Sequence, residues 1–197
     1  MSEIEAPHEK AEEFEEARAK PFTKRVALTT AIYAVLLAIT SLGGSNAMKE
    51  MLLAQQQASD QWSFYQAKVI REHLYRQQKQ RLELDLLEKE TLKPEVKTRY
   101  EALLQQTAKE ADRYGVEKKD IKKEAEKLEH ERDVNRNKDP YFDYAEVLLQ
   151  IAIVMSSIAI LASSGAMYGF SMVCATLGAL LSLNGFLLLV KIPFFHY

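Results

Sequence analysis

AMYGFSMVCATLGALLSLNGFLLLV, residues 166–190, carries no charged side chain from end to end. About 20 residues of helix cross a hydrocarbon layer of roughly 30 Å, so such a run reads as membrane-spanning. Two further runs lie upstream. AEVLLQIAIVMSSIAILAS (145–163) bears Glu146 and Gln150 near its start, and VALTTAIYAVLLAITSLGG (26–44) is thinned by Thr29, Thr30 and Thr40. Past Gln150 the former is broken only by serines, and threonine hydroxyls in the latter can bond to their own helix backbone, so both runs stay competent to span. A soluble bundle of 197 residues has too little other material to shield three such helices.

Between the first two runs the character reverses. Residues 46–143 hold 20 Lys+Arg and 20 Asp+Glu. That balance argues against a nucleic-acid surface, which needs positive charge gathered on one face. Residues 46–92 lack proline and glycine and are rich in helix formers; LKPE (92–95) breaks the run, and a second helical stretch follows over 95–137. Gly115 marks a loop or loose joint in it, and Asp139-Pro140 ends it. Two arms of similar length about Lys93-Pro94 return the chain to the side it left.

The expected fold is therefore all-α: a three-span helical membrane protein with an extramembrane antiparallel helical hairpin between spans 1 and 2. Its segments are 1–24 (acidic N-terminal segment), 25–44 (span 1), 45–140 (hairpin), 141–163 (span 2), 166–190 (span 3) and 191–197 (interfacial tail). The leader is long and rich in glutamate, unlike a short basic secretory n-region, so span 1 reads as a retained anchor. Cys174, alone inside span 3, reads as a small apolar filler.

The hairpin needs a seam. Met48, Met51, Gln55, Ala58, Trp62, Tyr65 and Val69 follow alternating steps of three and four on the outgoing arm. Val96, Tyr100, Leu103, Thr107, Ala111 and Tyr114 do so on the return arm, with Ile121, Ala125 and Leu128 beyond the glycine. The outgoing pattern fades at Arg76 and restarts in another phase at Leu82. Antiparallel pairing puts Val69 beside Ile121 or Ala125. Trp62, Phe64, Tyr65 and Lys68 form a candidate packing or partner patch, with Lys68 and Glu72 an ordinary i,i+4 pair.

The resemblance is carried by a first span ending in SNA, a Gln-rich connector, DQWSFYQAKVIR (60–71) and two C-terminal spans. Its most specific piece is WSFYQAK, Trp62 to Lys68. With these features the chain resembles a bacterial membrane-protein family known as domain of unknown function 4337. The resemblance implies a three-span protein of the bacterial inner membrane and no activity, cofactor or ligand.

Each span has a stripe of small residues that would let helix backbones approach closely: Ala27, Ala31, Ala34, Ala38 and Ser41; Ala145, Ala152, Ser156, Ala159 and Ser163; Ser171, Ala175, Gly178, Ser182 and Gly185. Glu146, Gln150 and Asn184 form a candidate membrane polar layer, in which Gln150 and Asn184 are placed to bond, or to rim an ion path. Tyr141, Phe142, Tyr144, Phe194, Phe195 and Tyr197 read as an aromatic belt. Lys20, Lys24 and Arg25 favour a cytoplasmic N terminus, although Arg132, Arg136, Lys138 and Lys191 collect on the other side. No phosphate loop, dinucleotide turn, HExxH or CxxC is present, and the histidines are dispersed, so no enzyme, metal or cofactor is expected. The reading is a homo-oligomeric membrane scaffold, the hairpin a possible partner surface; the alternative is a homo-oligomeric ion channel.

Overall fold

The computed structural model describes residues 7–88 and 93–190. They form α1 (Pro7–Glu88), α2 (Pro94–Leu161) and α3 (Gly165–Leu187), with no strand among the described residues. The chain divides into two compact units: a hairpin unit, Met51–Asp133, and an apolar unit made of Met1–Glu50 and Val134–Tyr197.

In the hairpin unit the arms are antiparallel within one chain. Partners descend α2 as they ascend α1: Gln55 meets Arg132, Trp62 meets Glu129, Glu72 meets Lys118 and Tyr75 stacks on Tyr114. Lys68 and Glu72 bracket Val69 and pair with Glu117 and Lys118, so Val69 lies level with the turn before Ile121.

The seam is more regular than its apolar residues suggest. On α1 the buried and half-buried positions include Met51, Ala54, Ala58, Gln61, Tyr65, Lys68, Glu72, Tyr75, Lys79, Leu82 and Leu86, with Asp85 beside the last. That is an unbroken alternation of threes and fours, with Trp62 and Val69 tucked at its side. The pattern does not fade at Arg76; it runs on through polar residues. Gln55 is exposed where Ala54 is buried, since the small side chain lets the arms approach. On α2, Leu104 replaces Leu103 and Val96 is exposed.

Two expected breaks are absent. α2 runs straight through Gly115, flanked by the inward-facing Tyr114 and Lys118. Their packing outweighs the roughly 1 kcal/mol of helix propensity that glycine lacks. It also runs through Pro140. A proline inside a helix costs about 3 kcal/mol and one hydrogen bond, yet Tyr141, Phe142 and Ala145 are all buried immediately after it.

The apolar unit is a three-helix bundle. α1 and α3 run parallel: Phe22 meets Tyr168 at one end, and Thr40 meets Ser182 toward the other. α2 runs against both, placing Ser156 at Ser171, Leu149 at Gly178 and Phe142 at Gly185. Its core holds Tyr33, Leu149, Ala152, Cys174 and Ala175. The expected small-residue stripe is buried in full on α3, and on α2 except for Ser163. At Gly178 a Cβ would sit 3.0 Å from Leu149 Cγ and 3.1 Å from the Ala145 carbonyl oxygen, so the glycine sets the α2–α3 approach.

On α1 the small-residue stripe does not face the bundle. Ala27, Ala31, Ala34 and Ala38 face outward, while Val26, Tyr33, Thr40 and Gly43 face the bundle. The ring and hydroxyl on that face give α3 something to pack against and bond, which the alanines do not. Each of the three helices contains a stretch long and apolar enough to cross a membrane. The α2–α3 joint is tight: Ser163 takes a left-handed φ of 48°, and Ser164 caps α3.

Candidate functional site

Trp62, Phe64, Tyr65 and Lys68 lie on the hairpin with different surroundings. Trp62 Nε1 donates to Glu129 Oε1 at 3.0 Å, and its ring meets Tyr65 edge-on at 5.5 Å. Lys68 Nζ lies 2.6 Å from Glu117 Oε2, between the Phe64 ring at 5.1 Å and the Tyr114 ring at 5.2 Å. Phe64 itself is exposed. Trp62 and Lys68 thus join the two arms, Tyr65 packs on Trp62, and Phe64 covers the Lys68 ammonium from outside.

The sequence pattern did not point to the centre of this region. Glu72 is 2 % exposed. Its Oε2 lies 2.5 Å from Lys118 Nζ on the opposite arm, and its Oε1 lies 2.7 Å from Arg76. The expected surface pair of Lys68 with Glu72 is not formed, because each finds its partner across the hairpin. The hydrogen bond from Lys118 holds the Glu72 carboxyl below the usual glutamate range, against the opposing effect of burial. Glu117 is lowered in the same way, first by Lys68. Beside them Tyr114 stacks on Tyr75 at 5.6 Å, with the Arg113 guanidinium 4.8 Å from its ring centre.

This layer matches charges; it does not present them. A buried ion pair is weak as a source of stability, but an unpaired buried charge costs about 3–5 kcal/mol. Sliding one arm by a heptad would set Glu72 against Ala111 or Ala125 instead of Lys118. The layer therefore selects one register. Its signal in the sequence is the spacing: continuing the steps from Ala58 and Tyr65 lands on Glu72, and from Ala111 and Tyr114 on Lys118.

Within the protomer, Gln150 and Asn184 of the candidate polar layer do not bond to each other. The Asn184 amide bonds to the Val190 backbone, donating from Nδ2 to the carbonyl at 2.8 Å and accepting at Oδ1 at 2.9 Å. It thereby caps α3, where Leu188 adopts a left-handed φ of 49°. Gln150 is exposed and bonds to no described residue, and Glu146 is half-buried. Hydroxyls form the inward pairs: Thr40 Oγ1 donates to Ser182 Oγ at 2.8 Å, and Ser156 to Ser171 at 3.1 Å. Tyr141 and Phe142 are buried, with the Tyr141 hydroxyl 3.0 Å from the Val190 carbonyl, so they belong to the bundle and not to a belt. Phe194, Phe195, Tyr197 and the 191–197 tail lie outside the described residues.

These features define a class of all-helical protein with three membrane-length apolar stretches and a charged antiparallel hairpin between the first two. The chain belongs to the family described as Domain of unknown function (DUF4337), whose profile matches residues 22–188. No curated protein and no solved structure matches it.

Proposed function

We propose that the protein is a non-enzymatic, homo-oligomeric membrane scaffold. The apolar unit spans a bacterial inner membrane three times, with the N terminus cytoplasmic after Lys20, Lys24 and Arg25. The hairpin works in water as the surface for assembly or for a protein partner. One observation carries this reading: the inward-facing hydroxyls of Thr40, Ser182, Ser156 and Ser171 are spent in pairs inside the protomer, Ser157 and Thr176 on their own helix backbone, and Asn184 on a cap. A pore needs such groups turned toward a shared axis. The outward alanines of α1 offer a close-packing face to a second copy.

A channel is the second reading, and Gln150 favours it. This amide faces outward from α2, about 13 Å along the helix from Tyr141. Native mass measurement in detergent and ion flux in liposomes separate the two. The scaffold gives an oligomer that passes no Na⁺, K⁺, Ca²⁺ or Cl⁻ under an imposed gradient. Flux that Gln150→Leu removes would establish the channel instead.

A further inference from the structure

A small cavity opens where the three helices of the apolar unit meet the charged part of the sequence. Its volume is about 170 Å³. That is below the roughly 300–1,000 Å³ of pockets that enclose drug-sized ligands, and it suits a small polar group. Phe142 and Phe186 pack edge-to-face beside it, their ring centres 4.9 Å apart. Gly43 and Gly185 complete the apolar wall. A Cβ at Gly43 would lie 2.6 Å from the Phe186 ring and 2.7 Å from the Phe142 ring, so a side chain there would displace the rings.

The polar lining is of mixed sign. Asn46, Glu50 and Lys138 border the same cavity. Glu50 and Lys138 do not pair with each other, although their charges are opposite. Lys138 Nζ donates to Asn135 Oδ1 at 3.0 Å, which leaves two of its three donors unused, and Glu50 forms no ion pair with any described residue. A cation and a carboxylate held apart at one apolar-backed cavity match a zwitterion, which satisfies both ends at once.

We propose that this cavity binds the headgroup of a phospholipid bearing a primary ammonium, a phosphatidylethanolamine, with Lys138 on the phosphate and Glu50 on the ammonium. The assignment rests on the membrane reading above, which sets residues 43–50, 138–142 and 185–186 at headgroup level. An anionic headgroup such as phosphatidylglycerol would give its phosphate to Lys138 but bring no cation to the Glu50 carboxylate. A choline headgroup has no N–H to donate to Glu50, whereas a primary ammonium forms a charge-assisted hydrogen bond there.

The test is native mass spectrometry of the delipidated full-length chain with dioleoyl phosphatidylethanolamine, phosphatidylcholine and phosphatidylglycerol. The ethanolamine lipid should be retained about tenfold better than either other lipid, the scale of one charge-assisted hydrogen bond. Glu50→Gln should bring it down to the choline lipid. Lys138→Gln should weaken both. Both variants should keep the wild-type melting temperature in detergent. Equal retention of the three lipids, or selectivity unchanged in Glu50→Gln, would overturn the assignment. So would soluble phosphoethanolamine binding as tightly as the lipid, since the site would then serve a free ligand. Resistance of the protein to alkaline extraction from vesicles, measured alongside, separates the two claims. A protein that is washed off contradicts the membrane reading itself, while one that is retained without lipid preference contradicts only the cavity.

Discussion

The hairpin unit and the apolar unit solve the same packing problem with opposite chemistry. Both use helices whose inward positions recur in threes and fours. In the hairpin unit the inward row admits Lys68, Glu72 and Lys118, and charge partners across the arms fix the register. In the apolar unit the inward rows of α2 and α3 are rich in alanine, glycine and serine, with Tyr33 and Leu149 packed between them, and closeness of approach fixes it. An antiparallel pair of polar helices has many near-equivalent alignments, and one buried charge penalises all but the right one. Small residues gain by van der Waals contact and need no such penalty.

The largest break in this comparison should come from halving the buried pair. Lys118→Met leaves Glu72 inside the seam with only the exposed Arg76, and should cost about 3 kcal/mol in a urea melt at neutral pH. The double variant Glu72→Leu with Lys118→Leu should recover to within about 1 kcal/mol of wild type, because apolar contact replaces the pair. A double variant as damaged as the single one would mean that the layer supplies stability, not register.

Gly178→Val probes the other chemistry. Its side chain would press on Leu149 and on the Ala145 carbonyl. A loss of about 2–3 kcal/mol by thermal melting in detergent is expected from overpacking, with the hairpin's ellipticity unchanged. A neutral result would show that α2 and α3 can part without cost. Trp62→Ala should cost about 2 kcal/mol, less than the 3–5 of a fully buried aromatic, because Trp62 is half-buried and loses mainly the Glu129 bond and the Tyr65 contact. Unchanged melting in this variant would make the patch a partner surface.

Acid gives the smallest and most selective effect. Glu72 and Glu117 have lowered folded pKa values. Their contribution is therefore complete above the unfolded carboxyl value of roughly 4.3, and is lost as pH falls through the folded values. The hairpin should melt alike between about pH 5 and 7 and weaken below about pH 4. The Glu72→Leu, Lys118→Leu double variant should have a shallower acid limb, keeping only the share of Glu117. Identical acid limbs would remove Glu72 from the account.

Much of this was legible without coordinates. The uncharged run 166–190 announces a membrane-length helix, and the small-residue rows of α2 and α3 mark the faces that pack. The hairpin was legible from Lys93-Pro94 and two arms of similar length. Glu72 and Lys118 were not, because a search for apolar seams stops at charged residues, and burial of a charge becomes affordable only when a partner far along the chain is in place. Gly115 and Pro140 misled for the converse reason: local propensity worth a few kcal/mol yields to packing on either side. Asn184 was legible as a polar residue in a span, but its role as a cap depends on the left-handed turn at Leu188.

The central claim is that one chain supplies both arms of the hairpin in a single register. It can be tested directly with Tyr75→Cys and Tyr114→Cys in a Cys174→Ala background. Their native rings stack at 5.6 Å, within reach of a short bismaleimide. Unlabelled and ¹⁵N-labelled chains would be mixed, assembled and crosslinked, and the linked peptides weighed. The account predicts peptides in which both cysteines carry the same label. A substantial population of mixed-label peptides would contradict it, because the arms would then pair between subunits.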